Sequence, residues 1–147
     1  MTMRNLNTAF VMLALSGLAQ ADEPVNPTQK AVAAEVHTGR MTCELGNLVT
    51  VTPDPHSSVR FIVQMKKNTY RMSPVETTTG AVRLEDSQAG AMWLQLRNKS
   101  MLMNSKLGQR MADECAHPDQ VAFANEMKRN PPPALIDVSN SASPSPR

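Results

Sequence analysis

Aromatic side chains are scarce in this chain, at 3% of 147 residues: three Phe, one Tyr and one Trp. A core must therefore rest on aliphatic packing and on methionine, of which there are 11 to fill irregular gaps. Charge of one sign is equally missing. Lys and Arg number 15 against 13 Asp and Glu, a formal net of +2, and no basic run exceeds two residues. That balance excludes a nucleic-acid-binding arm and a polybasic membrane patch. Apolar runs stop well short of the roughly 20 residues that a membrane-spanning helix needs. With 41% hydrophobic and 19% charged residues, what remains is one globular domain. Coiled coil, collagen-like repeat and multi-pass membrane protein are excluded on the same grounds.

The longest apolar run sits at the N-terminus and reads as an export signal. Arg4 supplies a positive start, and Ala9 to Ala19 is apolar apart from Ser16 and Gly17. Ala19-Gln20-Ala21 then places small residues where a signal peptidase requires them. Cleavage after Ala21 removes one basic residue and no acid, which leaves a net of +1. No Cys follows the run, so a membrane anchor is not expected and the localisation is periplasmic or secreted. Cys43 and Cys115 are the only thiols and allow one pairing. In an oxidising envelope a disulfide is expected, closing a long loop and stabilising by about 4 kcal/mol on the chain-entropy model.

Behind the signal, 1–21, the chain divides into three parts. Residues 22–38 hold two prolines and few large apolar groups, which predicts a flexible lead. Residues 39–128 form the domain proper. Residues 129–147 read as a Pro/Ser-rich disordered tail, which cannot bury enough apolar surface to offset its ordering entropy.

Within the domain the patterns are short and favour period 2, the signature of half-buried strands. Leu48 is opposite in phase to Val49 and Val51. Over 57–65, Val59, Phe61, Val63 and Met65 alternate with Ser58, Arg60, Ile62 and Gln64. A turn at Lys67-Asn68 or its neighbours leads into 69–75, followed by 81–85, 91–97, 100–104 and 109–115. About eight short strands predict a small antiparallel β-barrel, closed by one disulfide where Cys43 ties the first strand to Cys115 in the last. Pro118 to Met127 reads as one short C-terminal helix, with Pro in the first turn and Phe123 and Met127 placed to pack on the barrel.

No active site is spelled out. GxSxG, HExxH, Walker and GxGxxG motifs are absent from the sequence. His37, His56 and His117 are widely separated and none has ligand spacing. The adjacent acids Glu85-Asp86 and Asp113-Glu114 point to opposite faces if they lie on regular strands. The chain is expected to be a binding protein rather than an enzyme, with no cofactor. Two constellations remain. Met101-Leu102-Met103 places two thioethers on one face, where soft sulfur could hold Cu(I), or where methionine simply fills the barrel interior. Thr77-Thr78-Thr79-Gly80-Ala81 forms a polar loop with a glycine free to take positive φ and three hydroxyls that could donate to a carboxylate. It is faced in sequence by Arg97-Asn98-Lys99-Ser100, where Lys99 could add a charge-assisted bond to the same acid.

A Cys in the first strand, about eight short strands and a Cys closing the last resemble the bacterial c-type lysozyme inhibitors, the MliC/PliC family. The likeness covers about residues 41–115. Met41-Thr42-Cys43-Glu44-Leu45-Gly46 stands where the family has its aromatic-x-Cys strand. Thr79-Gly80-Ala81-Val82-Arg83 stands where it has a Ser-Gly-x-x-Tyr loop. Trp93 and Asn98-Lys99-Ser100 resemble its Trp strand and lysine turn. The resemblance implies polar loops that enter the lysozyme cleft and engage its two catalytic carboxylates. Thr79 would supply the hydroxyl, Gly80 the close backbone approach and Lys99 the cation, with Arg83 beside them. The implied partner is a c-type lysozyme. The alternatives are a Met-based copper module using Met101 and Met103, and an envelope structural or interaction protein using its helix and tail.

Overall fold

A computed structural model describes residues 26–132. The stretch 1–21, expected to be an export signal, and all but the first residues of the Pro/Ser-rich tail lie outside the described residues. Eight strands follow in chain order: β1 Gly39–Thr42, β2 Leu48–Pro53, β3 Phe61–Met65, β4 Asn68–Val75, β5 Val82–Asp86, β6 Ala91–Gln95, β7 Ser100–Asn104 and β8 Gln109–Cys115. Each pairs antiparallel with the next, so the sheet is a single up-and-down meander. It curls into a nearly closed barrel. The seam between β1 and β8 is one bridge, in which the Ala116 N–H donates to the Thr42 carbonyl at 3.1 Å, together with the Cys43–Cys115 disulfide.

Alternation sets the core. Val49, Val51, Phe61, Val63, Met65, Met72, Val82, Leu84, Ala91, Trp93 and Leu102 all point inward, each separated from its inward neighbour on the strand by a more exposed residue. Leu48 is exposed, as its phase requires. Methionine fills this core at Met41, Met65 and Met72. It does not do so at Met101 and Met103, which flank the buried Leu102 and lie half-buried on the outer face. Met103 there sits opposite Met92, and Met101 opposite Leu94. The interior position at that level belongs to Leu102 and Trp93, which face each other across β6 and β7.

Two strand limits differ from the sequence reading by two residues or more, each for a local reason, while one turn falls where it was expected. Residues 57–60 are not strand: Asp54 gathers them into a loop, its Oδ1 accepting from the His56 N–H at 2.9 Å and its carbonyl from the Ser57 N–H. The β3–β4 turn falls at Lys66-Lys67, among the expected neighbours of Lys67-Asn68, with Lys66 in the left-handed region at φ 55°. Strand β6 stops at Gln95, because Leu96 N–H donates to the Lys99 carbonyl and closes a tight turn.

The lead 22–38, expected to be flexible, contains in its described part a helix, α1 Pro27–Ala34. Asn26 caps it, its side chain accepting from Thr28 N–H, while the Gln29 side chain returns to the Asn26 N–H in a capping box. Val32, Ala33 and Val36 pack against the core, and Gln29 reaches the Pro74 carbonyl at 3.5 Å. A second helix, α2 Pro118–Arg129, begins at His117 and carries Asp119 in its first turn and Lys128 and Arg129 in its last, complementing the helix dipole. Its buried residue is Gln120; Met127, expected on the barrel, is exposed, and Phe123 is only half-buried.

Since the seam carries a single bridge, the disulfide spanning 72 residues should hold the barrel closed. Cys43→Ala with Cys115→Ala is expected to lower the unfolding free energy by about 4 kcal/mol. Urea titration of both proteins measures it, and an unchanged midpoint would assign closure to backbone pairing instead.

Candidate functional site

In a meander, every second connection emerges at the same end of the barrel. The connections 54–60, 76–81 and 96–99 therefore share one end. Thr79 and Gly80 sit at the exposed tip of 76–81, whose base is fixed by Thr77 Oγ1 donating to the Ala81 carbonyl at 2.7 Å. Gly80 adopts φ 74°, a conformation open to glycine at little cost, and no atom approaches the position a Cβ would take. Thr79, Gly80, Gln95, Arg97, Asp119 and Phe123 line one cavity of about 600 Å³.

Arg97 is the cation that faces this cavity. Its guanidinium lies over the Phe123 ring at 4.3 Å, a cation–π contact, and no carboxylate among the described residues pairs with it. Lys99 is engaged elsewhere. Its ammonium contacts the Glu114 carboxylate and lies 3.3 Å from Asp113 Oδ1. Adjacent residues of a regular strand could not both reach it. Here Glu114 takes φ 52° and the register slips by one residue between Ser100 and Leu102, a bulge that turns both acids toward one lysine. The bond from Glu114 raises the Lys99 pKa above its ordinary value, with Asp113 adding to it and burial opposing. Burial alone would raise the Asp113 carboxyl, but the Glu114 N–H, Lys99 and Arg110 together hold it below the usual carboxylate value.

Arg83 stands apart from the loop tip. It lies on β5, opposite Leu94 of β6, and pairs with Glu85, its Nε donating at 2.8 Å. Of the residues singled out in the sequence, the structure thus brings Thr79 and Gly80 to the cavity and ties Arg83 and Lys99 into ion pairs. Met101 and Met103 share one face, as alternation requires, on the outside of the barrel.

Two features escaped the sequence reading. Buried glutamines fasten the flanking segments. Gln95 Nε2 donates to the Glu35 carbonyl and its Oε1 accepts from the His37 N–H, both at 2.8 Å. Gln120 Nε2 donates to the Leu96 carbonyl and to Ser100 Oγ, both at 2.8 Å, while its Oε1 accepts from the His117 N–H at 2.9 Å. The second feature is that His37 and His117 stack, ring centroids 4.5 Å apart, beside Asp119. Burial, then the neighbouring His117, lowers the His37 pKa, and Asp119 partly offsets them. The only sequence signal for the glutamines was Gln120 at the third position of a Pro-led helix, where a capping box places it.

Gln120→Leu should strand the Ser100 hydroxyl and two backbone partners, costing about 2–4 kcal/mol and loosening α2. Denaturant titration together with amide exchange over 118–129 checks both effects. A pH prediction follows from the carboxylates. Arg71, bonded to Asp54, outweighs burial and holds that buried carboxyl below its ordinary value, as Lys99 and its neighbours do for Asp113. Groups depressed in the folded state bind fewer protons than in the unfolded chain, so their stabilisation is complete above about pH 4 and is lost as pH falls below it. Asp54→Asn is expected to lower stability at pH 7 and to flatten this acid limb, read from melting temperatures between pH 7 and pH 2. No protein-family model, no curated protein and no solved structure matches the chain, so the site stands on its own geometry.

Proposed function

We propose that this chain is an exported binding protein that inhibits a c-type lysozyme by presenting the loops 76–81 and 96–99 to the enzyme's cleft. The observation that carries the reading is the shared cavity. Thr79, at an exposed loop tip, and the Arg97 guanidinium, free of carboxylate partners among the described residues, line the same concavity at one end of a rigid barrel. A glycosidase of this kind depends on one protonated and one ionised carboxyl group. A hydroxyl and a guanidinium supply the hydrogen bonds and charge that such a pair accepts, and the cationic donor favours the ionised form of the acid that must donate a proton. Gly80 permits close backbone approach because its Cβ position is open.

The cation differs from the one the family resemblance implies. Lys99 would have to leave Asp113 and Glu114 before meeting a carboxylate of the enzyme, whereas Arg97 needs only to slide from Phe123. The reading assigns no bond-making step to this chain. Inhibition is occupancy of the cleft, and export places the protein where lysozyme is met.

The test is turnover of bacterial cell wall by a c-type lysozyme with the tag-free protein titrated in. Near-stoichiometric inhibition is expected, weakened about tenfold or more by Thr79→Ala and by Arg97→Ala, the range for loss of a charge-assisted hydrogen bond. Absence of inhibition at high micromolar concentration, with the disulfide intact, overturns the proposal.

A further inference from the structure

We infer that His37, His117 and Asp119 form a binding site for one divalent transition-metal ion of the zinc class, outside the loop tips but at the wall of the cavity that Thr79 and Arg97 also line. The three residues come from segments remote in sequence. His37 precedes β1, His117 caps α2 and Asp119 lies in the first turn of α2. One donor atom from each lies within 4.8 Å of the others. Asp119 Oδ2 is 3.3 Å from His117 Nδ1 and 4.0 Å from His37 Nε2. Donors bound at about 2.0–2.1 Å to a tetrahedral ion stand about 3.4 Å apart, so the set must contract by about 1.4 Å at most.

The contraction is within reach of these side chains. Asp119 is largely exposed at 75% and can swing toward the imidazoles. The two rings are stacked at an interplanar angle of 23°, and both lie outside the strand ladders, so they can rotate to converge their lone pairs. His117 Nδ1 now accepts only a long 3.3 Å bond from the Asp119 N–H, a weak contact for the ion to replace.

His37 supplies the independent observation. Its Nδ1 is buried without a hydrogen-bond partner, and no described residue hydrogen-bonds its Nε2. A half-buried imidazole with neither nitrogen hydrogen-bonded carries unused ligand capacity. Its lowered pKa favours the neutral form that a metal requires.

The donor chemistry selects the ion. Two imidazoles and one carboxylate suit zinc, nickel and copper(II), whereas magnesium and calcium prefer all-oxygen sets. Three protein ligands would leave a fourth position open, and two of the three, His37 and Asp119, line the cavity with Arg97. The ion would also fasten the segment ahead of β1 to the start of α2.

The experiment uses the tag-free exported chain and zinc chloride, followed by calorimetry and by NMR of the histidine rings. One-to-one binding is expected, with magnesium and calcium inert. Zinc should shift the ring signals of His37 and His117 and leave those of His56, on its exposed turn, in place. His37→Phe keeps the ring stack and His117→Asn keeps an N-cap, so both should fold. Each of these variants, and Asp119→Asn, should weaken zinc binding at least about tenfold, while Met101→Leu with Met103→Leu leaves it unchanged. No saturable zinc binding, shifts confined to His56, or affinity retained in all three ligand variants overturns the inference.

Discussion

The seam between β1 and β8 governs the molecule. Each of the seven neighbouring strand pairs is held by a ladder of three to five residue pairs, but β1 and β8 meet through one bridge at Thr42 and Ala116 and through one disulfide. That contact does more than close a sheet. Past Ala116 the chain continues antiparallel to β1, back toward the residues that precede it. His117 and Asp119 are thereby carried toward His37, and the first turn of α2 meets the segment leaving α1. The same covalent tie that supports a small, aromatic-poor core thus aligns the two ends of the described domain. In so small a domain, a cross-link that restricts the unfolded chain offsets what the core lacks in buried area.

Strand count and, on β2 and β3, the inward face were legible because one side of each strand is buried and the side-chain period of a strand is two. Val49 and Val51 against Leu48, or Phe61, Val63 and Met65 against Ile62 and Gln64, leave little choice of register. What the pattern hid were places where a local interaction outweighs alternation. Asp54 folds 57–60 into a loop although Val59 keeps the strand phase. The bulge at Glu114 turns two acids onto Lys99, which regular alternation forbids. The helix α1 carries too few large apolar residues to announce itself, yet Asn26, Pro27 and Gln29 spelled a capping box at its start.

The candidate site was half legible. A Gly after a run of hydroxyl-bearing residues in a strand connection marks a loop tip by its chemistry, and Thr79 and Gly80 are at one. Which cation would join them could not be read from spacing, since Arg97 and Lys99 sit two residues apart in one tight turn. The choice between them depends on groups distant in sequence, Phe123 for Arg97 and the bulged acids of β8 for Lys99. The histidine pair was illegible for the same reason, because ligand spacing in a sequence detects only ligands that share one element.

Gln95 and Gln120 explain why this end of the barrel is ordered at all. A loop end built from connections would ordinarily be its most mobile part, with few apolar contacts to hold it. Here each glutamine is buried and has both its amide oxygen and its amide nitrogen engaged, so neither leaves the unsatisfied polar group that makes burial costly. Gln95 ends β6 and grips the chain on both sides of Val36, fixing where His37 enters. Gln120 grips the β6–β7 turn from α2, fixing where His117, Asp119 and Phe123 stand relative to Arg97. An apolar pair at these positions could pack as tightly, but it would hold α1 and α2 in no particular register. Directional bonds from two buried amides define the cavity's walls, and the chemistry at its rim inherits its geometry from them.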